Sequence, residues 1–226
     1  MPQFCGRKVK KKVPKVMPIY KILKVNAATK VYIWKVEESE EALSKGIELT
    51  DHCQNRMDGM KSEMHRRAFL SIRHLMAEAG YVDADLFYDE FGKPHLKDGN
   101  KISITHSHNF TAIVISSSHD VGIDIEMQRE KILRIAHKFT PIEEYKTIAN
   151  TDALIRKLTI VWGCKESLYK IYAEPGLSFI HHIDVKDFIF DSSATTAEIL
   201  YQGNTSHYDI RFLEFEGFTL VYALRR

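Results

Sequence analysis

A mixed fold of helices and strands arranged in two halves follows from three features of the chain. There are two long segments with helical periodicity, several short apolar runs with strand alternation, and one polar, turn-rich segment near the midpoint. That segment, Ser116-Ser117-Ser118-His119-Asp120, separates two stretches that each combine strands with one long helix. The boundaries it sets are an N-terminal half over residues 19–118 and a C-terminal half over 119–226, preceded by a leader over residues 1–18.

The leader is basic, with Arg7, Lys8, Lys10, Lys11, Lys12 and Lys15 crowded ahead of the first strand. It lacks the apolar centre of a secretory signal, and a solvated, disordered tail is expected. Val31-Tyr32-Ile33-Trp34-Lys35-Val36 reads as the first strand, and a helix follows from about Lys61 to Ala79, stopped by Gly80. This helix carries Lys61, His65, Arg66, Arg67, Arg73 and His74, either a solvated face or a site for anions. Next come a short strand at Leu86-Phe87-Tyr88, a turn at Phe91-Gly92-Lys93-Pro94, and strands at Ile102–Thr105 and Ala112–Ser116.

The second half opens with the strand Val121-Gly122-Ile123-Asp124-Ile125-Glu126. A helix start is expected at Thr140, with Thr140 as cap and Pro141 in the first position. A longer helix runs from about Asp152 to Tyr172, its apolar face made by Leu154, Leu158, Val161, Cys164, Leu168, Ile171 and Tyr172. On that reading Glu166 and Lys170 turn to the opposite side. The tail reads as antiparallel strands, Tyr208–Phe212 and Phe218–Tyr222, around a turn at Glu216-Gly217.

Composition narrows the function. The chain has 226 residues, 44% hydrophobic and 27% charged, which suffices for a proper core, and no apolar run approaches the length that crosses a bilayer. A net charge of +2 gives no argument for nucleic acid. Cys5, Cys53 and Cys164 are odd in number and form no Cys-x-x-Cys pair, which fits a reducing cytoplasm, with Cys164 a core residue rather than a nucleophile.

The chemistry concentrates in one strand and one helix. Asp124 and Glu126 project from the same face of their strand, while Val121, Ile123 and Ile125 point the other way. Glu166 and Lys170 lie one turn apart on their helix. If strand and helix pack together, three carboxylates can converge on one hard cation such as Mg²⁺, with Lys170 neutralising further charge, an arrangement suited to phosphoryl transfer.

Taken together, Val121-Gly122-Ile123-Asp124-Ile125-Glu126 and Trp162-Gly163-Cys164-Lys165-Glu166-Ser167-Leu168-Tyr169-Lys170 resemble the signature of the 4′-phosphopantetheinyl transferase superfamily. The likeness is to its long, monomeric type, which activates carrier proteins of peptide and polyketide synthases. It extends upstream through Phe91-Gly92-Lys93-Pro94-His95-Leu96 and Ile102-Ser103-Ile104-Thr105-His106-Ser107, similar to the family's Gly-Lys-Pro and Ser-His-Ser motifs. Two positions depart from the pattern. Gly163 stands where the family usually has serine or threonine, and Thr105 replaces the first serine.

The resemblance implies an α+β fold, a pseudo-twofold pair of similar halves, each a long helix packed in a small antiparallel sheet, with coenzyme A between them. It implies transfer of phosphopantetheine from coenzyme A to a serine of an apo acyl or peptidyl carrier protein, releasing 3′,5′-ADP. Asp124, Glu126 and Glu166 would hold Mg²⁺, with Glu166 and Lys170 catalytic. Arg66, Arg67, Lys93, Pro94 and His106 would meet coenzyme A. The C-terminal half would then carry metal and catalysis, the N-terminal half coenzyme A.

Three other readings compete. A metal-dependent nuclease would use the same carboxylates and lysine, but leaves the Gly-Lys-Pro and Thr-His-Ser motifs unexplained. His106 and His108 could share a strand face as zinc ligands, without a third ligand at motif spacing. A non-catalytic carrier-binding protein would be expected to have lost a metal carboxylate, and all three are present.

Overall fold

A computed structural model describes residues 19–226 apart from 146, 149 and 174, so the basic leader and Cys5 lie outside the described residues. The fold is α+β. In the first stretch, β1 (Ile19–Lys24) and β2 (Thr29–Lys35) form a hairpin. Three helices follow, α1 (Glu40–Ser44), α2 (Asp51–Asp58) and α3 (Glu63–Glu78). A small ribbon of β3 (Leu86–Tyr88) and β4 (Pro94–Leu96) leads into β5 (Lys101–Ser107) and β6 (Phe110–Ser116). The sheet is antiparallel, in the order β1-β2-β6-β5.

In the second stretch, β7 (Val121–Met127) is followed by α4 (Lys131–Ile135), α5 (Thr151–Tyr172) and α6 (Phe179–His182). Strands β8 (Ile183–Val185), β9 (Ala194–Tyr201), β10 (Asn204–Phe215) and β11 (Phe218–Arg225) complete a sheet ordered β7-β11-β10-β9-β8. Glu216 and Gly217 both take positive φ, 47° and 76°, as the tight turn between β10 and β11 requires.

Side-chain alternation explains the layering. Tyr32 and Trp34 of β2 and Ile113 of β6 face α3, whose Leu70, Ile72, Leu75 and Met76 complete one core. The alternate residues, Val31, Ile33, Ala112 and Val114, join Val121, Ile123 and Ile125 of β7 and Leu220 and Tyr222 of β11 in a second core shared by both sheets. On the far face of the second sheet, α5 packs Leu158, Val161, Cys164 and Leu168 against Ile210, Val221 and Ala223. Burial pushes the Cys164 thiol up, as expected for a core residue.

Two sequence expectations need correction. No helix starts at Thr140. Residues Ile142–Tyr145 make a single 3₁₀ turn, and the Thr140 hydroxyl pairs with that of Tyr145 at 3.1 Å. The cap of α5 is Asn150, whose side chain accepts from the Ala153 amide. The second correction concerns α5 and β7, whose sides away from the expected apolar stripe are largely covered rather than open to solvent. Lys157, Thr159, Ile160, Gly163, Lys165 and Ser167 are buried beside the expected stripe, and Asp124 is buried as well, only 6% exposed. Asp124 is covered by α5, and α5 in turn by residues after the helix. Lys165 donates to the Phe179 and Ile183 carbonyls at 2.6 and 2.7 Å, and Lys157 to Asp187 and the Phe188 carbonyl at 2.7 and 2.5 Å.

Two glycines set how closely α5 lies on β7 and β11. A Cβ on Gly122 would fall 1.9 Å from the Ser167 carbonyl oxygen, and one on Gly163 would fall 2.7 Å from Val221 Cγ2. The helix is fastened there by the Ser167 hydroxyl donating to the Val221 carbonyl at 3.2 Å. Gly122→Ala therefore forces backbone apart rather than a side-chain tip. We expect it to lose at least the ~1–3 kcal/mol typical of overpacking, read by chemical denaturation.

The buried pair Arg73–Asp83, at 2.9 Å with side chains 3% and 1% exposed, ties α3 to the loop after it. Burial is the largest single influence on Asp83 and opposes ionisation. The Thr50 amide, the Arg73 charge and their hydrogen bonds together outweigh it and hold the carboxyl below its ordinary value. A lowered carboxyl stabilises the fold above the ordinary aspartate range, and that contribution is lost as pH falls through the folded-state value. Asp83→Asn should cost about 3–5 kcal/mol at neutral pH because Arg73 stays buried without its counter-charge. Its deficit relative to the parent should shrink in strongly acidic denaturation curves.

Candidate active site

The site is built where α5 crosses β7. Alternation on β7 sends Ile123 and Ile125 into the core shared by the two sheets, and Asp124 toward α5, in register with Val221 of β11. Lys170, near the end of α5, reaches back over the strand. Its ammonium donates to Asp124 Oδ1 and to the Ile123 carbonyl, both at 2.8 Å. From the opposite side Thr105 of β5 donates to the same Oδ1 over a long 3.3 Å, while its oxygen accepts the Ile125 amide at 3.2 Å. Asp124 Oδ2 is different. It is buried and has no hydrogen-bond partner, with the Cα of Gly163 presenting no side chain toward it.

Glu126 and Glu166 feel this buried anion. Desolvation is the main cause that raises both, and Asp124 adds to it. For Glu126 the Trp162 indole, Arg129 and Lys170 pull the other way. Glu166 is pushed up to about 7, with only Lys170 opposing. Two glutamates raised by burial and by the neighbouring carboxylate, beside an orphaned buried oxygen, are a donor set that suits a hard divalent cation. The three carboxylates do not form a closed coordination shell, since among the described residues no group of three or more His, Cys, Asp or Glu side chains is close enough to hold a metal. Mg²⁺ commonly takes only one or two carboxylates from the protein and completes its shell with water and phosphate. The residues therefore fit Mg²⁺.

Next to this cluster lies a cleft of about 550 Å³ between α3, the β3–β4 loop, β5 and the end of α5. Arg56, His65, Lys93, His106 and Lys170 give it a basic lining, with Arg73 behind them engaged by Asp83, and Phe69, Tyr88, Phe91 and Tyr169 an aromatic one. Lys170 alone belongs to both cleft and carboxylate cluster. The His65 and His106 rings face each other with centroids 5.8 Å apart. Desolvation, then the charges of His65 and Lys170, lower His106. Such a lining suits a polyanion with an apolar or ring-bearing part.

Of the residues expected to contact coenzyme A, Lys93, Pro94 and His106 line the cleft. Lys93 donates to the Ile171 carbonyl at 2.5 Å and so caps the end of α5, and burial lowers its ammonium. Arg66 and Arg67 do not line it. His65, Phe69, Ile72 and Arg73 share the cleft-facing side of α3, and helical geometry turns the next two positions away. Arg66 is engaged by Glu40 at 2.9 Å and by the Met60 carbonyl at 2.7 Å, and Arg67 by the Val36 carbonyl at 3.4 Å. The zinc alternative also loses its geometry. β5 ends at Ser107, and His108 sits in the following turn with φ of 51°, off the strand face that carries His106.

Several residues of the site carry no signal in the sequence. Arg56 is an isolated arginine on a short helix, and Thr105 stands out only as a departure from a motif. Asp89 shapes the Gly-Lys-Pro loop by accepting the Phe91 and Lys93 amides at 3.0 and 2.9 Å, a turn in which an aspartate precedes glycine by three residues.

Comparison with known proteins meets this geometry. Residues 120–223, which include Asp124, Glu126, Glu166 and Lys170, match the model of the 4′-phosphopantetheinyl transferase superfamily. The chain is also 29% identical over 133 residues to the 4′-phosphopantetheinyl transferase gsp of Aneurinibacillus migulanus. That alignment covers 58% of this chain and 54% of the relative, so the chain spans about half of the relative's length. The motifs and both comparisons thus agree, and over residues 120–223 this chain is similar to the 4′-phosphopantetheinyl transferase superfamily.

Proposed function

We propose that the protein transfers the 4′-phosphopantetheinyl group of coenzyme A to a serine hydroxyl of an apo acyl or peptidyl carrier protein, in a reaction that requires Mg²⁺. The observation that carries this reading is Asp124, whose Oδ1 is held by Lys170 and Thr105 while its buried Oδ2 has no partner, beside two destabilised glutamates and a cationic cleft. The reaction forms a bond between serine Oγ and the phosphorus that carries pantetheine, and breaks the pyrophosphate bond so that 3′,5′-ADP leaves. Glu166 receives the serine proton. Asp124, Glu126 and Glu166 are the residues that would hold Mg²⁺, with water and the substrate phosphates completing its shell, and the ion would neutralise charge on the pyrophosphate.

The chain's own residues do the positioning. Lys170 carries positive charge from the carboxylates into the cleft, where the pyrophosphate develops charge as it leaves. His106, His65 and Arg56, which line the cleft, would meet the remaining phosphates, and its aromatic side the adenine and pantetheine portions. No helix among the described residues is long and apolar enough to cross a membrane, and Cys53 and Cys164 are free and buried. We place the reaction in the cytoplasm, carried out by a monomer.

The direct experiment incubates the protein with coenzyme A, Mg²⁺ and a panel of apo carrier proteins and reads intact masses. One carrier should gain a single phosphopantetheinyl group, and no gain with any of them would overturn the proposal. Two variants then separate the carboxylates. Asp124→Asn keeps shape but removes charge, so transfer should slow and recover in part at high Mg²⁺. Glu166→Gln should slow transfer by roughly 10²–10⁴, a loss that added Mg²⁺ does not restore, because the proton acceptor is gone. Initial rates across a Mg²⁺ titration compare the two.

A further inference from the structure

We propose that Thr105 is a positioning residue which selects the oxygen of Asp124 that is offered to the metal. This rests on the transferase reading and concerns how its metal ligand is aimed.

The two sheets meet at an unusual seam. β5 is the edge of the first sheet and β7 the edge of the second, and the two strands lie side by side without a backbone ladder between them. Instead, two hydroxyls of β5 accept two amides of β7, Ser103 from Ile123 and Thr105 from Ile125, each at 3.2 Å and each twenty positions apart in sequence. A hydroxyl has one proton to give. With its oxygen accepting the Ile125 amide, Thr105 can direct that proton to Asp124 Oδ1, and the geometry places it there. Lys170 approaches Oδ1 as well. Both donors thus converge on one carboxylate oxygen, which leaves Oδ2 buried and bare. A ligating carboxylate held by hydrogen bonds from outside the metal shell is oriented at low entropic cost.

Ser103 provides an internal control. It makes the same seam contact as Thr105, on the same strand, two residues earlier, but no contact with Asp124. Ser103→Ala and Thr105→Val each orphan one β7 amide and should lower stability to a similar extent. Only Thr105→Val should change metal binding.

The test titrates Mn²⁺ into the full chain with coenzyme A present, reading free Mn²⁺ by electron paramagnetic resonance, with melting curves in parallel. Thr105→Val should weaken Mn²⁺ binding by about 10–100-fold, Thr105→Ser should restore it, and Ser103→Ala should leave it within about twofold. Thr105→Ala, which opens space rather than replacing the hydroxyl with a methyl, serves if the valine variant does not fold. Unchanged Mn²⁺ affinity in Thr105→Val or Thr105→Ala overturns the proposal, as does equal weakening in Ser103→Ala. Parent protein that takes up no Mn²⁺ beyond what coenzyme A alone binds overturns the metal reading and this proposal with it.

Discussion

Gly122 on β7 and Gly163 on α5 allow helix and strand to approach until no methyl group fits on either, and the chemistry depends on that approach. Lys170 can span from the end of α5 to both Asp124 and the Ile123 carbonyl only because the helix lies this close to the strand. A wider spacing would expose Glu166 and separate it from Asp124 and Glu126, removing both the desolvation and the neighbouring charges that raise it. The contact is reinforced from outside by two buried lysines, Lys157 and Lys165, which hold the segment after α5 against the helix. The charged residues of the Trp162–Lys170 stretch thus divide their work. Lys165 is spent on packing, and Glu166 and Lys170 face the strand.

Much of the fold can be read from strong periodicity. The two long helices and the strands β2, β5, β6, β7, β10 and β11 emerge within a few residues of their observed limits because each buries a regular apolar set. The weaker elements do not. β1, Ile-Tyr-Lys-Ile-Leu-Lys, lacks period-two alternation, and β9 begins with alanine and threonines, so both are half-exposed strands with little apolar signal. The short helices α1, α2 and α4 are polar or brief and take their order from packing.

The site is legible in part. Asp124 and Glu126 sharing a strand face, and Glu166 and Lys170 sharing a turn, follow from local geometry alone. Which side of α3 meets the cleft does not, because its cationic residues surround the helix. Arg66 and Arg67 look like ligand contacts in the sequence, whereas Glu40 and two carbonyls hold them elsewhere. Burial of Asp124 escapes the sequence for a similar reason. A strand in isolation shows one apolar face, and the cover on the other face comes from a helix some forty residues later.

The seam between β5 and β7 also acts as a gauge for how one sheet sits against the other. Sliding the strands by one residue would bring Ile102 and Ile104 to the β7 amides, with no oxygen to receive them. Sliding by two would put Ser103 opposite Ile125 and leave Asp124 without its threonine. Only one alignment satisfies both amides and the carboxylate together, so the sheets are indexed to each other by the same hydroxyl that touches the candidate metal ligand. A substitution that retunes that ligand through residue 105 also unsettles the alignment of the sheets.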